Sequence, residues 1–240
     1  MELTTYIFLS VAAFIPAIFY MLYIIAFDSE KPEPPKALIA AAVVGVAMAA
    51  AVTMIGVMFV DVHIGAILPL KDSLTMGFLG LAVPAELTKW VSLLAFLTLN
   101  KYYDEYIDGI VYSVCLAMGF AGVWSVWFVS ILFGAQPIEV WEMCLFIIIV
   151  LMPIHLAAGS MMGYFLALAR TKHKIRNYLL SLILPTIISG ALCTMVIIIG
   201  ARWEYYFVAG ILFSLLSMIF YTQTFRLLEL DGVKTASKKK

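Results

Sequence analysis

The sequence predicts an all-α membrane protein, a polytopic bundle of about seven transmembrane helices with its N-terminus outside and its C-terminus in the cytoplasm. Three observations carry this. The 240 residues are 64% hydrophobic and only 12% charged, and a mean hydropathy of +1.05 lies far from any soluble domain. Apolar runs of about 20 residues, the length a helix needs to cross a ~30 Å hydrocarbon core, recur along the whole chain. Lysine and arginine also fall unevenly between the two sets of connectors, as the positive-inside rule requires of an odd number of spans.

In order, the runs are residues 4–27, 37–60, 76–99, 109–132, 143–169, 178–200 and 205–225. The first has no basic stretch ahead of it, and Pro16, Tyr20 and Tyr23 do not form a small-residue cleavage site, so it reads as a retained helix and no signal peptide is expected. The connector Asp28-Ser-Glu-Lys-Pro-Glu-Pro-Pro-Lys36 is stiff and extended, because each proline fixes its own φ and disfavours helix in its predecessor. The second run is rich in small residues, among them Ala41, Ala42, Gly45 and Ala49, and offers a surface for close helix contact. In the third, Pro84 removes a backbone hydrogen bond and predicts a kink near Gly80 beside a small hydrated pocket. The fourth carries Gly119-Phe-Ala-Gly122 ahead of Trp124, Ser125 and Trp127. The fifth holds Pro153 and His155 before Ala157, Ala158, Gly159 and Ser160. In the sixth, Ser189 and Cys193 stand one turn apart on one face.

With the N-terminus outside, twelve Lys and Arg residues fall on inside segments, including Arg170, Lys172, Lys174 and Arg176, against Lys71 and Arg202 outside. Residues 1–228 form one membrane domain, and 229–240 a basic cytoplasmic tail ending in three lysines. That tail reads as a solvated positive-inside anchor, and no nucleic-acid role is assigned to it. The polar stretches are too short to bury a soluble core. Cys115, Cys144 and Cys193 all fall within predicted helices without CxxC spacing, so they read as packing residues and no disulfide framework is expected. No internal repeat is evident, which disfavours the inverted-repeat plan of many transporters.

The candidate functional residues begin with Glu86 and Lys89, three apart in the middle of the third run. An ionisable group at bilayer depth costs roughly 2.5–3.5 kcal/mol on insertion scales, so it calls for a partner, a cavity or a reaction. At i, i+3 the two share a face and can neutralise one another. A self-contained ion pair and a reactive site both fit this pattern. His155 reads either as a neutral imidazole bonded to a carbonyl or as a ligand. Ser189 reads first as a helix–helix hydrogen bond, and His63 and His173 sit in or beside loops, outside any site.

These features, in this order, resemble the PrsW-type intramembrane metalloproteases, a group within the CAAX-protease and bacteriocin-processing superfamily. Pro84-Ala-Glu-Leu-Thr-Lys89 resembles that family's Glu-Glu-x-x-Lys motif, with Ala85 at the first Glu. Asp108-Gly-Ile-Val-Tyr112 and Gly119-Phe-Ala121 are similar to the approach to its Phe-x-x-x-Glu motif, with Trp124 at the Glu. Pro153-Ile-His155 and Met162-Gly-Tyr-Phe165 resemble its histidine-bearing helix. Leu184-Pro185 and Ser189-Gly190 match the frame of its final motif, with Ser189 and Cys193 where His and Asp are usual.

The resemblance implies a bacterial inner-membrane enzyme that cleaves membrane-anchored proteins with zinc. It would make Glu86 a general base or metal neighbour, Lys89 its tuning group and His155 a ligand. Three protein ligands and an open position for water define such a zinc centre; here Glu86, His155 and Cys193 would have to supply them, because indole and serine hydroxyl are poor substitutes for carboxylate and imidazole. The alternative is a non-catalytic relative that binds transmembrane segments of partner proteins, with Trp124 filling the vacated volume. A small transporter using the Glu86–Lys89 pair is a third reading, weakened by the missing repeat. The expected partners are a membrane-anchored protein and the lipid bilayer. No nucleic acid or small-molecule substrate is expected.

Overall fold

The computed structural model describes residues 2–26, 32–59, 70–133, 139–170, 174–199, 212 and 215. Among these residues there is no strand, and six helices are long and apolar enough to cross a membrane. They are α1 (Leu3–Ile25), α2 (Pro35–Phe59), α3 (Leu70–Leu99), α4 (Ile107–Phe133), α5 (Val140–Ala169) and α6 (Lys174–Ile199). The expected seventh span falls almost wholly outside the described residues, as do His63, His173 and the basic tail; Leu212 and Leu215 within it are helical.

α4 and α5 form the centre of the bundle. α4 packs against α1, α2 and α5, while α6 packs against α5 and the first half of α3. Close backbone approach makes this possible. A Cβ on Gly45 would come within 2.0 Å of the Leu116 carbonyl oxygen, and one on Gly119 within 2.1 Å of that of Ala42. Small residues therefore set the α2–α4 contact, as the composition of α2 implies. On α4 and α5, Gly109 and Gly163 meet in the same way, and Ser113 Oγ donates to the Gly159 carbonyl at 2.7 Å. Large apolar side chains such as Phe8, Phe19, Ile39, Val91 and Ile187 stand exposed on the outside of the bundle, where lipid would cover them.

α3 and α5 share a feature the sequence pattern does not reveal. Each changes register: α3 runs as π-helix over Met76–Ala82 before Val83–Leu99, and α5 as π-helix over Ile147–Leu151 before Met152–Ala169. Val83 N–H bonds the Phe78 carbonyl and Met152 N–H that of Ile147, the i→i−5 spacing of a π turn. Pro84 and Pro153 then fall in the first turn of the α segment that follows, where a missing N–H costs least. The kink expected at Pro84 is thus a π segment, a device that accommodates proline and re-aims the residues after it. α3 also begins earlier than expected, at Leu70, because Lys71 and Asp72 continue the helix beyond its apolar stretch.

Candidate functional site

In both register-shifted helices the ionisable group follows its proline by two residues: Glu86 after Pro84 and His155 after Pro153. The two meet at the centre of the bundle through Lys89. Lys89 Nζ lies 2.7 Å from Glu86 Oε1 and 3.4 Å from His155 Nδ1, and its ammonium sits 5.3 Å from the centre of the Phe120 ring on α4. All three ionisable side chains are buried, Glu86 completely and Lys89 to 1% exposure.

α6 supplies the next partner. Its close approach to the π segment of α3 is set by Gly77 and Gly190: a Cβ on Gly77 would meet Thr194 Oγ1 at 2.2 Å, and one on Gly190 would strike the Phe78 ring. This contact brings Ser189 Oγ within 2.6 Å of Glu86 Oε1, to which it donates. Glu86 Oε1 therefore accepts from an ammonium and a hydroxyl, while Oε2 is buried without a hydrogen-bond partner among the described residues. Charge-assisted bonds of this kind hold a carboxylate at low dielectric far better than neutral ones.

Beside Glu86 is a cavity of about 20 Å³, room for a single water. Glu86, His155, Ser189 and Cys193 line it, together with Ala85 and Trp124. Trp124 is 4% exposed and packs on Phe120, Trp127 and Phe128, with ring centres 5.7, 4.8 and 6.3 Å away. Four of the positions at which this chain departs from the motifs it resembles, 85, 124, 189 and 193, thus converge from three helices on one cavity, while Ser125, where the motif has Asn, is buried on α4 and does not line it. Residues spread over more than 100 positions of the sequence line one cavity.

The chain is also similar to known proteins. Residues 33–223 match the model of the PrsW family intramembrane metalloproteases. The chain belongs to the PrsW family. Protease PrsW of Bacillus subtilis (strain 168) is 24% identical over 207 residues, covering 84% of this chain and 88% of that protein. Protease PrsW of Oceanobacillus iheyensis (strain DSM 14371 / CIP 107618 / JCM 11309 / KCTC 3954 / HTE831) is 25% identical over 188 residues, 75% of this chain and 78% of that protein. No solved structure matches.

The family is one of metalloproteases, and the residues of this PrsW relative do not fit a zinc ion as they stand. Zinc takes three protein ligands at about 2.0–2.3 Å and leaves one position for water. Here the ammonium of Lys89 lies against both Glu86 and His155, two of the three groups expected to hold the metal. Cys193 lines the same cavity, but Glu86, His155 and Cys193 are not among the described residues whose ligand atoms gather within 4.8 Å of one another.

The acidic residues that do gather so closely are Glu33, Asp104 and Asp108, near one end of α4. Asp108 is about 18 Å along the helix from Phe120 at 1.5 Å per residue. Their surroundings are those of a structural knot. Glu33 accepts the hydroxyl of Tyr112, and Asp108 Oδ2 accepts the N–H groups of Asp104 and Glu105 at 2.9 and 2.7 Å. Arg170 donates to the Glu105 and Asp104 carbonyls at 2.7 and 3.1 Å and stacks on Tyr103, 4.3 Å from the ring centre. Burial pushes the Tyr103 phenol above its ordinary value, an effect the Arg170 guanidinium partly offsets. Sequence reasoning missed this cluster and counted Arg170 only as a topological charge.

Proposed function

We propose that the chain is a PrsW-family protein of a bacterial cytoplasmic membrane that binds the transmembrane segments of membrane-anchored proteins without hydrolysing them. The observation that carries this reading is the occupancy of the central site by the protein's own groups. Lys89 lies against Glu86 and His155, Ser189 donates to Glu86, and Trp124 fills the fourth-helix motif position. A cavity of about 20 Å³ takes one water and has no space for a peptide group beside it. Hydrolysis needs an activated water, an electrophile to polarise the carbonyl and a place for the scissile bond.

One observation favours a second reading, an altered metalloprotease: Glu86 Oε2 has no partner among the described residues and Glu86 borders the cavity, where a water could meet a base. Both readings keep a membrane-anchored protein as partner, and they differ in that partner's fate. A photocrosslinking residue placed at Ile39, on the exposed face of α2, tests them in native membranes. The proposal expects adducts with intact membrane proteins, unchanged in the charge-balanced Glu86→Gln/Lys89→Met variant. Shortened partner products that disappear in that variant, at unchanged protein level, would establish the protease instead.

A further inference from the structure

Away from the central site, on the side that the positive-inside rule makes cytoplasmic, three helix ends meet around a cavity of about 240 Å³. Leu94 and Leu97 near the end of α3, with Leu166 of α5, give it an apolar wall, and Arg170, Tyr103 and Tyr178 a polar one. Leu166 stands one helical turn before Arg170, about 6 Å further into the bilayer. Arg170, just past the end of α5, is held in place on several sides. Its Nη1 and Nη2 donate to the carbonyls of Glu105 and Asp104 at 2.7 and 3.1 Å, and its guanidinium lies 4.3 and 5.3 Å from the centres of the Tyr103 and Tyr106 rings. These four partners are uncharged, so they fix the plane of the guanidinium without cancelling its charge. Lys174, exposed at the start of α6, stands one turn before Tyr178 on the same face and adds a second cation at this boundary. Glu33, Asp104, Glu105 and Asp108 do not line the cavity.

We infer that this cavity binds an anionic phospholipid of the cytoplasmic leaflet, with the phosphate against Arg170 and Tyr178 and the start of an acyl chain along Leu94, Leu97 and Leu166. Three features select this occupant. A guanidinium offers five N–H donors in a planar fork that matches phosphate oxygens, and the two carbonyls take two of them. Basic pockets between transmembrane helices on the cytoplasmic side are where anionic headgroups collect, and the cationic headgroup of a zwitterionic lipid would meet Arg170 and Lys174 as like charges. The division of the cavity decides between lipid and free anion: inorganic phosphate would satisfy Arg170 and leave the leucine wall wet, whereas a lipid covers both walls. With water occupying about 30 Å³ in the liquid, the space of about 240 Å³ suits a phosphate and the first carbons beyond it, the rest of the lipid staying in the bilayer. The inference does not depend on how the central site is read.

The test is lipid retention by the full-length protein in detergent, read by native mass spectrometry after incubation with equal amounts of dioleoyl phosphatidylglycerol and dioleoyl phosphatidylcholine. Two variants probe the site. Arg170→Gln removes the charge, and Thr98→Trp places bulk at an exposed residue that lines the same cavity while leaving Arg170 in place. Should Arg170→Gln fail to accumulate, Thr98→Trp is read by the same criteria. The inference expects wild type to retain phosphatidylglycerol over phosphatidylcholine by roughly tenfold, and each variant to lose at least about fivefold of that preference. Phosphatidylglycerol should also raise the melting temperature of wild type, and neither phosphatidylcholine nor inorganic phosphate should match it. Equal retention of the two lipids overturns the inference, as does a preference that both variants keep. A preference that survives both variants and vanishes when Lys238, Lys239 and Lys240 are all changed to Gln puts the lipid on the basic tail instead. Stabilisation by inorganic phosphate as large as that by the lipid makes the ligand a free anion, which also overturns it.

Discussion

Removing either charge of the Glu86–Lys89 pair should be far more damaging than removing both. The two groups are fully buried and 2.7 Å apart. At an effective dielectric of about 20 the attraction at that distance is roughly 6 kcal/mol, much of it offset by the cost of taking two ions out of water. Glu86→Gln leaves a buried ammonium, and Lys89→Met a buried carboxylate. Each should cost about 3–5 kcal/mol, the usual penalty for orphaning one partner of a buried pair. The double variant Glu86→Gln/Lys89→Met retains the shape, has no uncompensated charge and should lie within about 1 kcal/mol of wild type. Thermal unfolding in detergent with a chelator present reads this as falls of roughly 6–20 °C for each single variant and little change for the double. Single variants as stable as wild type, or a double variant as unstable as the two singles added together, would refute the view that these charges hold one another in place.

Three further outcomes follow from the same geometry. Ser189→Ala removes a 2.6 Å bond to a buried carboxylate and should lower stability by about 1.5–3 kcal/mol, read as a fall in melting temperature. A Cβ on Gly163 would come within 2.2 Å of the Gly109 carbonyl oxygen, whereas one on Gly80 meets only Met76 Cγ at 3.8 Å. Gly163→Ala should therefore cost roughly 1–3 kcal/mol by forcing α4 and α5 apart, and Gly80→Ala under about 1, in the same melting assay. The Tyr103 phenol is held above its ordinary value of 10.0, so its neutral form is favoured by folding. Its contribution should be complete below pH 10.0 and be lost as pH rises through the folded value. The melting temperature of Tyr103→Phe should fall less steeply than that of wild type across that alkaline window.

Much of the fold was legible because lipid imposes a strong pattern. The expected fourth span, 109–132, and the observed Ile107–Phe133 differ by two residues at most at either end. The start of α3 was missed because Lys71 and Asp72 interrupt the apolar run, although helix geometry continues through them at a membrane boundary. The π segments were not legible: proline marks where a hydrogen bond is lost, and the register by which neighbours recover it depends on tertiary packing. The site divides in the same way. The spacing of Glu86 and Lys89 announced their ion pair, whereas the meeting of Lys89 with His155, 66 positions away, depends on how α3 and α5 pack. Trp124, Ser189 and Cys193 entered through their places in a motif frame, and only their convergence on one cavity gives that frame physical content. Glu33 and Tyr112 entered only as parts of a connector and a motif stretch, and Arg170 as a topological charge; that they belong to one cluster depends on α2, α4 and α5 bringing their ends together.

The most direct test of the account is the zinc content of the wild-type protein, purified from zinc-replete membranes and compared with Glu86→Ala and His155→Ala. With Glu86, Lys89, His155 and Ser189 bonded to one another and Trp124 at the fourth-helix motif position, all three should carry less than roughly a tenth of a zinc per chain. About one zinc per wild-type chain, lost in both variants, would contradict it and return the site to metal-dependent proteolysis.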